Sequence, residues 1–150
     1  MQPDSESAAA AGMPEGMSCL KEKLNGLGLR PTTQRLVLGT LLFSGGDRHV
    51  TASMLFAQAS QAGHHFALAT IYNVLNCFVQ HGLLRQVAVE GGEAFFDTNV
   101  SNHNHFYVEH ERRMLDIPDG ALRVEGLPPP PEGMVVSHVD VVVRLVPKHG

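Results

Sequence analysis

The feature that most constrains the fold is an apolar stripe in the middle of the chain. Between residues 67 and 84, apolar side chains recur with the spacing i, i+3, i+4, i+7 and i+8, at Ile71, Val74, Leu75, Phe78 and Val79. This spacing places them on one face of an α-helix. The opposite face carries hydroxyl and amide groups instead of charges, at Thr70, Asn73, Asn76 and Gln80. That face is either an ordinary solvated surface or one whose hydrogen-bonding groups contact base edges.

The segments around this helix favour a winged helix-turn-helix. Three shorter helices precede it, the second capped by Thr32 or Thr33 and the third by Thr51. Gly82 is placed to end the polar-faced helix, and residues 85–97 follow as two short strands joined by a glycine-containing turn. The predicted fold class is therefore α+β, an N-terminal winged helix-turn-helix followed by a small α/β dimerisation domain.

We predict three segments along the chain. Residues 1–16 lack hydrophobic periodicity and form a disordered tail, residues 17–97 form the winged-helix DNA-binding domain, and residues 98–150 form the dimerisation domain. The last segment contains three predicted strands and room for one weak helix before a run of prolines, with the strands at residues 106–108, 113–117 and 135–146. So small a sheet buries little by itself, so we expect a homodimer.

Charge is unevenly distributed along the chain. The net charge is −4, yet residues 20–89 contain six Lys and Arg side chains and only two acidic ones. A basic segment that coincides with the polar-faced helix suits contact with the phosphates of double-stranded DNA. Chance partition of so few charges is the alternative interpretation.

The sequence predicts a cytoplasmic protein that does not contact membranes. No apolar run is long enough to span a bilayer, and the N-terminus lacks the pattern of a signal peptide. Cys19 and Cys77 are far apart and form no Cys-x-x-Cys motif, so we expect free thiols.

Histidines near the predicted hairpin suggest a metal site. His103 and His105 alternate on an extended segment, so both imidazoles point to the same side. Asp97 ends the hairpin nearby, and His49 lies in the loop before Thr51. Imidazoles and a carboxylate suit Zn²⁺, Fe²⁺ or Mn²⁺. The alternative is that these are ordinary structural histidines.

Several motifs taken together resemble the Fur family of metal-responsive transcription regulators. They are LRPTTQR at 29–35, HVTA at 49–52, LATIYNVLN at 68–76, FDTN at 96–99 and HNH at 103–105. More narrowly, the chain resembles the iron response regulator branch, Irr, in Tyr72-Asn73, DTNVS at 97–101, LDIP at 115–118 and VDVVVR at 139–144.

The resemblance implies a homodimeric regulator of iron and haem genes that is tuned by metal or haem at the hinge between its domains. Tyr72 and Asn73 would contact bases, and Thr70 and Arg35 would contact phosphate or base.

The resemblance also implies the ligands at the hinge. The divalent metal, Zn, Fe or Mn, would be held by His49, Asp97, His103 and His105, and haem would take His103 or His105 as its axial ligand.

The chain departs from the family pattern at other metal positions. The family's Cys-x-x-Cys is replaced by VEHE at 108–111, so we expect no structural zinc there. A second family site also lacks its expected ligands, because Asn102, Asn104 and Arg123 occupy those positions.

A small metal-dependent enzyme of the cupin-like kind is the alternative function. Its basis is the spacing of His103, His105 and Glu109, which such enzymes use for three ligands on adjoining strands. The helical first half of the chain disfavours this interpretation, since a barrel needs strands there.

Overall fold

A computed structural model describes residues 15–149 of the chain. Most of the predicted tail therefore lies outside the described residues, and its last two positions belong to the first helix. The helices are α1 (Glu15–Gly26), α2 (Thr33–Phe43), α3 (Ala52–Gln61) and α4 (Leu68–Gln80). None of the helices between residues 15 and 149 is long and apolar enough to cross a membrane.

Local hydrogen bonds explain where the helices begin and end. The Thr32 side chain accepts a hydrogen bond from the Arg35 amide at 3.3 Å, so Thr32, not Thr33, caps α2. Thr51 caps α3 as predicted, accepting from the Met54 amide at 3.1 Å. Gly82 follows α4 with a φ of 76°, a left-handed conformation that favours glycine.

The apolar stripe of α4 forms the centre of the main core. Ile71, Leu75 and Phe78 are fully buried. They pack in one cluster with buried residues of the other three helices, including Leu24, Leu38, Leu42 and Leu55. The predicted helix and its inward face are therefore both present.

The first sheet has one strand more than the predicted hairpin. It contains β1 (His49–Val50), β2 (Arg85–Val87) and β3 (Phe95–Asp97) in the order β1-β3-β2, with antiparallel pairing throughout. The sequence assigned His49 to a loop. It forms a strand because β3, which pairs with β2 on one side, pairs on its other side with the segment before α3.

The second sheet contains β4 (His105–Val108), β5 (Arg113–Asp116) and β6 (Val142–Leu145) in the order β5-β4-β6. β4 pairs antiparallel with β5, across a short 3₁₀ helix at Glu109–Glu111, and parallel with β6.

Two expectations for this half were wrong. The strand predicted over residues 135–146 is present only over its last third, and no helix forms between residues 119 and 133. The apolar side chains of Val135 and Val136 are 88% and 49% exposed, so no strand among residues 15–149 covers them. β-branched composition alone does not create a strand without a pairing partner.

A second hydrophobic cluster joins the two sheets. Val87, Val89 and Phe95 from the hairpin pack against Tyr107 and Met114 from the second sheet. The division of the chain into two domains at residue 97 remains a prediction. This hydrophobic cluster contains residues from both sides of that position.

Candidate metal centre and nucleic-acid interface

Five side chains converge between the two sheets. They are His49, Asp97, His103, His105 and Asp116, and their ligand atoms all lie within 4.8 Å of one another. Among residues 15–149 this is the one such group of potential metal ligands.

Strand register places four of the five residues. His49 lies opposite Asp97 in the β1–β3 ladder, and His105 lies opposite Asp116 in the β4–β5 ladder. Side chains directly opposite each other project from the same face of a sheet. Each sheet therefore supplies one imidazole and one carboxylate, and His103 comes from the connection just before β4.

The distances within this group match the edges of a coordination polyhedron. The Oδ2 atom of Asp97 lies 3.1, 2.8 and 2.9 Å from the Nε2 atoms of His49, His103 and His105. The Oδ1 atom of Asp116 lies 2.8, 3.2 and 3.5 Å from the same three nitrogen atoms. Ligands about 2.1 Å from a zinc ion at right or tetrahedral angles lie about 3.0 to 3.4 Å apart. The donor set therefore fits one divalent ion.

Protonation gives a second reason for this fit. The Nδ1 atom of His103 lies 2.8 Å from the Ser101 carbonyl oxygen, to which it can only donate. In a neutral His103, Nε2 then carries a lone pair, and it faces the Asp97 carboxylate at 2.8 Å. These two acceptors repel each other unless a metal ion lies between them or a proton occupies Nε2. A backbone carbonyl that accepts from the second ring nitrogen is also the usual support of a metal-bound histidine.

Electrostatics keep the centre of the cluster ionised. Burial raises the pKa of Asp97, but hydrogen bonds from His105 and His49 and from the Asn99 amide outweigh it and hold that pKa far below 3.8. Burial likewise lowers the pKa of His49. The Asp97 and Asp116 carboxylates outweigh this effect, so the pKa of His49 lies above 6.5.

The structure brings together all four residues that the sequence nominated and adds Asp116. The sequence signal for Asp116 was its place near the end of a predicted strand, a short connection after His105. The register that makes Asp116 and His105 neighbours cannot be read from either segment alone.

The ligand set of the cupin-like alternative does not form. Glu109 begins the exposed 3₁₀ helix and pairs with Arg144 at 3.3 Å, outside the cluster. The described residues form two three-stranded sheets and not a barrel. This alternative is therefore not supported.

Haem fits the cluster less well than an ion does. His105 is 1% exposed and His103 is 8% exposed. The Nε2 atom of each lies within 3 Å of the Asp97 carboxylate. A porphyrin has no access to either nitrogen atom in this arrangement.

The predicted DNA contacts lie together on one surface. Arg35, Thr70 and Asn73 line a single shallow groove between the N-terminal ends of α2 and α4. Tyr72 is 37% exposed on the adjacent surface of α4. The Arg35 guanidinium donates to the Arg30 carbonyl at 2.8 Å, which holds it at the edge of the groove.

The basic surface near this groove is smaller than the sequence suggested. Arg48 donates to the Leu41 carbonyl at 3.0 Å, and Arg85 is paired with Asp140. Intramolecular contacts therefore engage both terminal nitrogens of Arg85 and one nitrogen of Arg48. The turn of the hairpin is acidic, and its Glu93 accepts a hydrogen bond from the Ser53 hydroxyl at 2.8 Å at the start of α3.

Comparison with known proteins gives consistent results. The model of the family described as "Ferric uptake regulator family" matches residues 26–125. Ferric uptake regulation protein of Shigella flexneri is 30% identical over 96 residues, which cover 63% of this chain and 65% of that protein. The protein of the same description from Vibrio cholerae is 31% identical over 88 residues, 59% of either chain. The matches thus span less than two thirds of these relatives.

Solved structures of the same kind share the fold. Ferric uptake regulator from Pseudomonas aeruginosa with manganese superposes with a TM-score of 0.65 at 24% identity, covering 86% of this chain and 98% of that one. The Vibrio cholerae ferric uptake regulator gives a TM-score of 0.68 at 19% identity, covering 84% and 98%. A zinc-bound manganese uptake regulator gives 0.62 at 18% identity, covering 85% and 98%.

Proposed function

The chain belongs to the ferric uptake regulator family, and we propose that it is a homodimeric, sequence-specific DNA-binding transcription regulator controlled by a divalent metal ion. The ion binds at the group formed by His49, Asp97, His103, His105 and Asp116. Location in the cytoplasm and binding to an operator are parts of the same proposal.

The observation that carries the proposal is the position of the cluster between the two sheets. His49 and Asp97 belong to the sheet that adjoins the helices, and His105 and Asp116 belong to the second sheet. When bound, a divalent ion neutralises the negative charges of the two facing carboxylates, Asp97 and Asp116. Because its ligands come from both sheets, an ion that prefers one arrangement of them shifts the population toward that arrangement.

DNA contact is proposed for the polar face of α4. Its exposed Tyr72 and Asn73 can bond base edges, and Arg35 and Thr70 at the groove between α2 and α4 can bond the backbone or a base. In a twofold dimer, two copies of α4 would contact half-sites about one helical turn apart.

Exposed apolar residues in the second half support dimerisation. Val124, Leu127, Met134 and Val135 are between 48% and 88% exposed. Apolar surface concentrated in one segment marks an interaction site, and a second copy of the chain is the occupant we propose.

The donor set restricts the ligand without selecting one metal. Three imidazoles and two carboxylates suit Zn²⁺, Fe²⁺ or Mn²⁺. We propose genes of iron and haem homeostasis as targets on the resemblance to the Irr branch alone. Haem as a ligand rests on the same resemblance, and the burial of His105 disfavours it.

Selection of duplexes from a random pool, followed by anisotropy titration of the selected duplex with and without Mn²⁺, tests the proposal. We expect affinity that falls with rising salt and that metal changes by at least about fivefold. The double substitution His103→Ala, His105→Ala should abolish the metal effect while nonspecific binding persists. An affinity for DNA that does not depend on the duplex sequence, the salt concentration or the metal would contradict the proposal.

A further inference from the structure

Arg85 lies beside the cluster, on the strand next to the one that carries the proposed ligand Asp97. In the β2–β3 ladder Arg85 is the direct partner of Asp97. Its guanidinium Nη1 donates to the Ser101 carbonyl at 2.9 Å, and its Nη2 contacts the Asp140 carboxylate. The side chain is 10% exposed, and its Nε atom is buried without a partner among the described residues. These two contacts therefore fix the guanidinium.

The Ser101 carbonyl is shared between Arg85 and His103. The Nδ1 atom of His103 donates to the same oxygen at 2.8 Å, so both of its lone pairs are engaged. The segment is held locally as well, because the Ser101 amide donates to Asn99 Oδ1 at 3.0 Å and the Asn99 amide donates to Asp97 Oδ1 at 2.9 Å. Outside contacts hold this loop at two points, at Ser101 through Arg85 and at Thr98 through the Arg48 backbone, whose amide donates to the Thr98 hydroxyl oxygen at 2.9 Å.

The far end of the contact lies in the other half of the chain. Asp140 precedes β6 by two residues, and its second carboxylate oxygen lies 3.1 Å from the His138 Nε2 atom. The first residue of β6, Val142, is in turn the register partner of His105. Arg85 thus connects the Ser101 carbonyl, which supports His103, to the segment before β6. That strand lies next to His105, a second proposed ligand.

We propose that Arg85 is a positioning residue for the metal centre. By holding the Ser101 carbonyl it fixes the ring orientation and tautomer of His103, and by pairing with Asp140 it couples the metal centre to the segment that precedes β6. The inference rests on the proposed function, since it concerns the same centre. Loss of such an outer partner typically weakens metal binding about 10–100-fold.

The test is a Zn²⁺ affinity measurement by chelator competition on the full chain, with Co²⁺ absorption spectra of the same proteins. Arg85→Met keeps the length of the side chain and removes both contacts, and we expect affinity to fall about 10–100-fold with a changed Co²⁺ spectrum. Arg113→Met is the matched control, since the exposed Arg113 pairs with Glu111 at 3.1 Å and lies opposite Val108, at the other end of the β4–β5 ladder from His105. It should leave affinity and spectrum unchanged.

Two milder variants keep the inference testable if Arg85→Met does not fold. Arg85→Lys retains the charge but reaches only one of the two acceptors, and Asp140→Asn retains Arg85 while weakening its far contact. We expect both variants to bind Zn²⁺ more weakly than the wild type does, but more tightly than a protein that has lost both Arg85 contacts.

The outcomes separate this inference from the proposed function. If the wild type binds metal and the Arg85 and Asp140 variants bind it equally well with the same Co²⁺ spectrum, the positioning role of Arg85 is overturned and the metal centre stands. If the wild type binds no metal, the proposed function fails and the inference fails with it.

Discussion

Asp116 lies directly opposite His105 in the antiparallel ladder of β4 and β5, with its Oδ1 atom 3.5 Å from the His105 Nε2 atom. The same relationship holds between Asp97 and His49 in β1 and β3, at 3.1 Å. Each sheet therefore presents an imidazole and a carboxylate from neighbouring strands. One ion between the two pairs would contact all four side chains at once. Two independent ion pairs, one in each sheet, would have no reason to lie next to each other.

Asp116 is the least expected member of the cluster, and it gives the first prediction. Asp116→Asn removes a charged ligand while preserving the shape of the side chain. Removal of a ligand should weaken Zn²⁺ binding at least as much as loss of an outer partner, by about tenfold or more, as measured by chelator competition. Asp119→Asn, three residues later and outside the cluster, is the control. Equal affinities of the two variants would exclude Asp116 as a ligand.

The exposed face of α4 gives the second prediction. Asn73→Ala removes an amide able to make two bonds to a base, and we expect the preference for the selected duplex over a scrambled one to fall by about 1–3 kcal/mol. Anisotropy titrations with both duplexes at one salt concentration measure this difference. Gln61→Ala, on an exposed position of α3, should retain the preference. If both variants discriminate as well as the wild type does, α4 does not contact bases through Asn73.

Local patterns in the sequence predicted the helical part of the fold. The spacing of Ile71, Leu75 and Phe78 determines which face of α4 is buried, and the caps at Thr32 and Thr51 depend on hydrogen bonds within a few residues. Information of this kind is present in a short window of sequence.

Pairings between distant segments explain what the sequence left unpredicted. Asp116 becomes a candidate ligand only through the register of β4 and β5. Arg85 was counted among the phosphate-binding charges, but it pairs with Asp140, 55 residues away. Only the last third of the predicted final strand pairs with another strand, and Val135 at its start is 88% exposed among the described residues.

The packing of α4 against the other helices gives the third prediction. Phe78 is fully buried, and its ring centroid lies 6.0 Å from that of Phe43. Phe78→Ala should lower the free energy of unfolding by about 3–5 kcal/mol, because it removes apolar contacts and leaves a cavity. Urea unfolding of the metal-free protein measures the change. Phe56→Ala, at a position that is 39% exposed, should cost much less. Equal losses would mean that α4 is not the centre of the core.

The raised pKa of His49 gives the last prediction, which concerns pH. Burial lowers this pKa, but Asp97 and Asp116 outweigh burial and raise it above 6.5 in the metal-free protein. Protonated His49 therefore stabilises the metal-free protein fully below pH 6.5, and this contribution is lost as pH rises through the folded-state pKa. A metal ion must displace that proton, so its binding tightens as pH rises. The Zn²⁺-induced increase in melting temperature should accordingly be larger at about pH 7.5 than at about pH 5.5. Substitution of the exposed His110 by Asn should preserve this difference, since His110 lies outside the cluster. An increase that is equal at the two pH values, or larger at the lower one, would show that the ion does not compete with protons at His49.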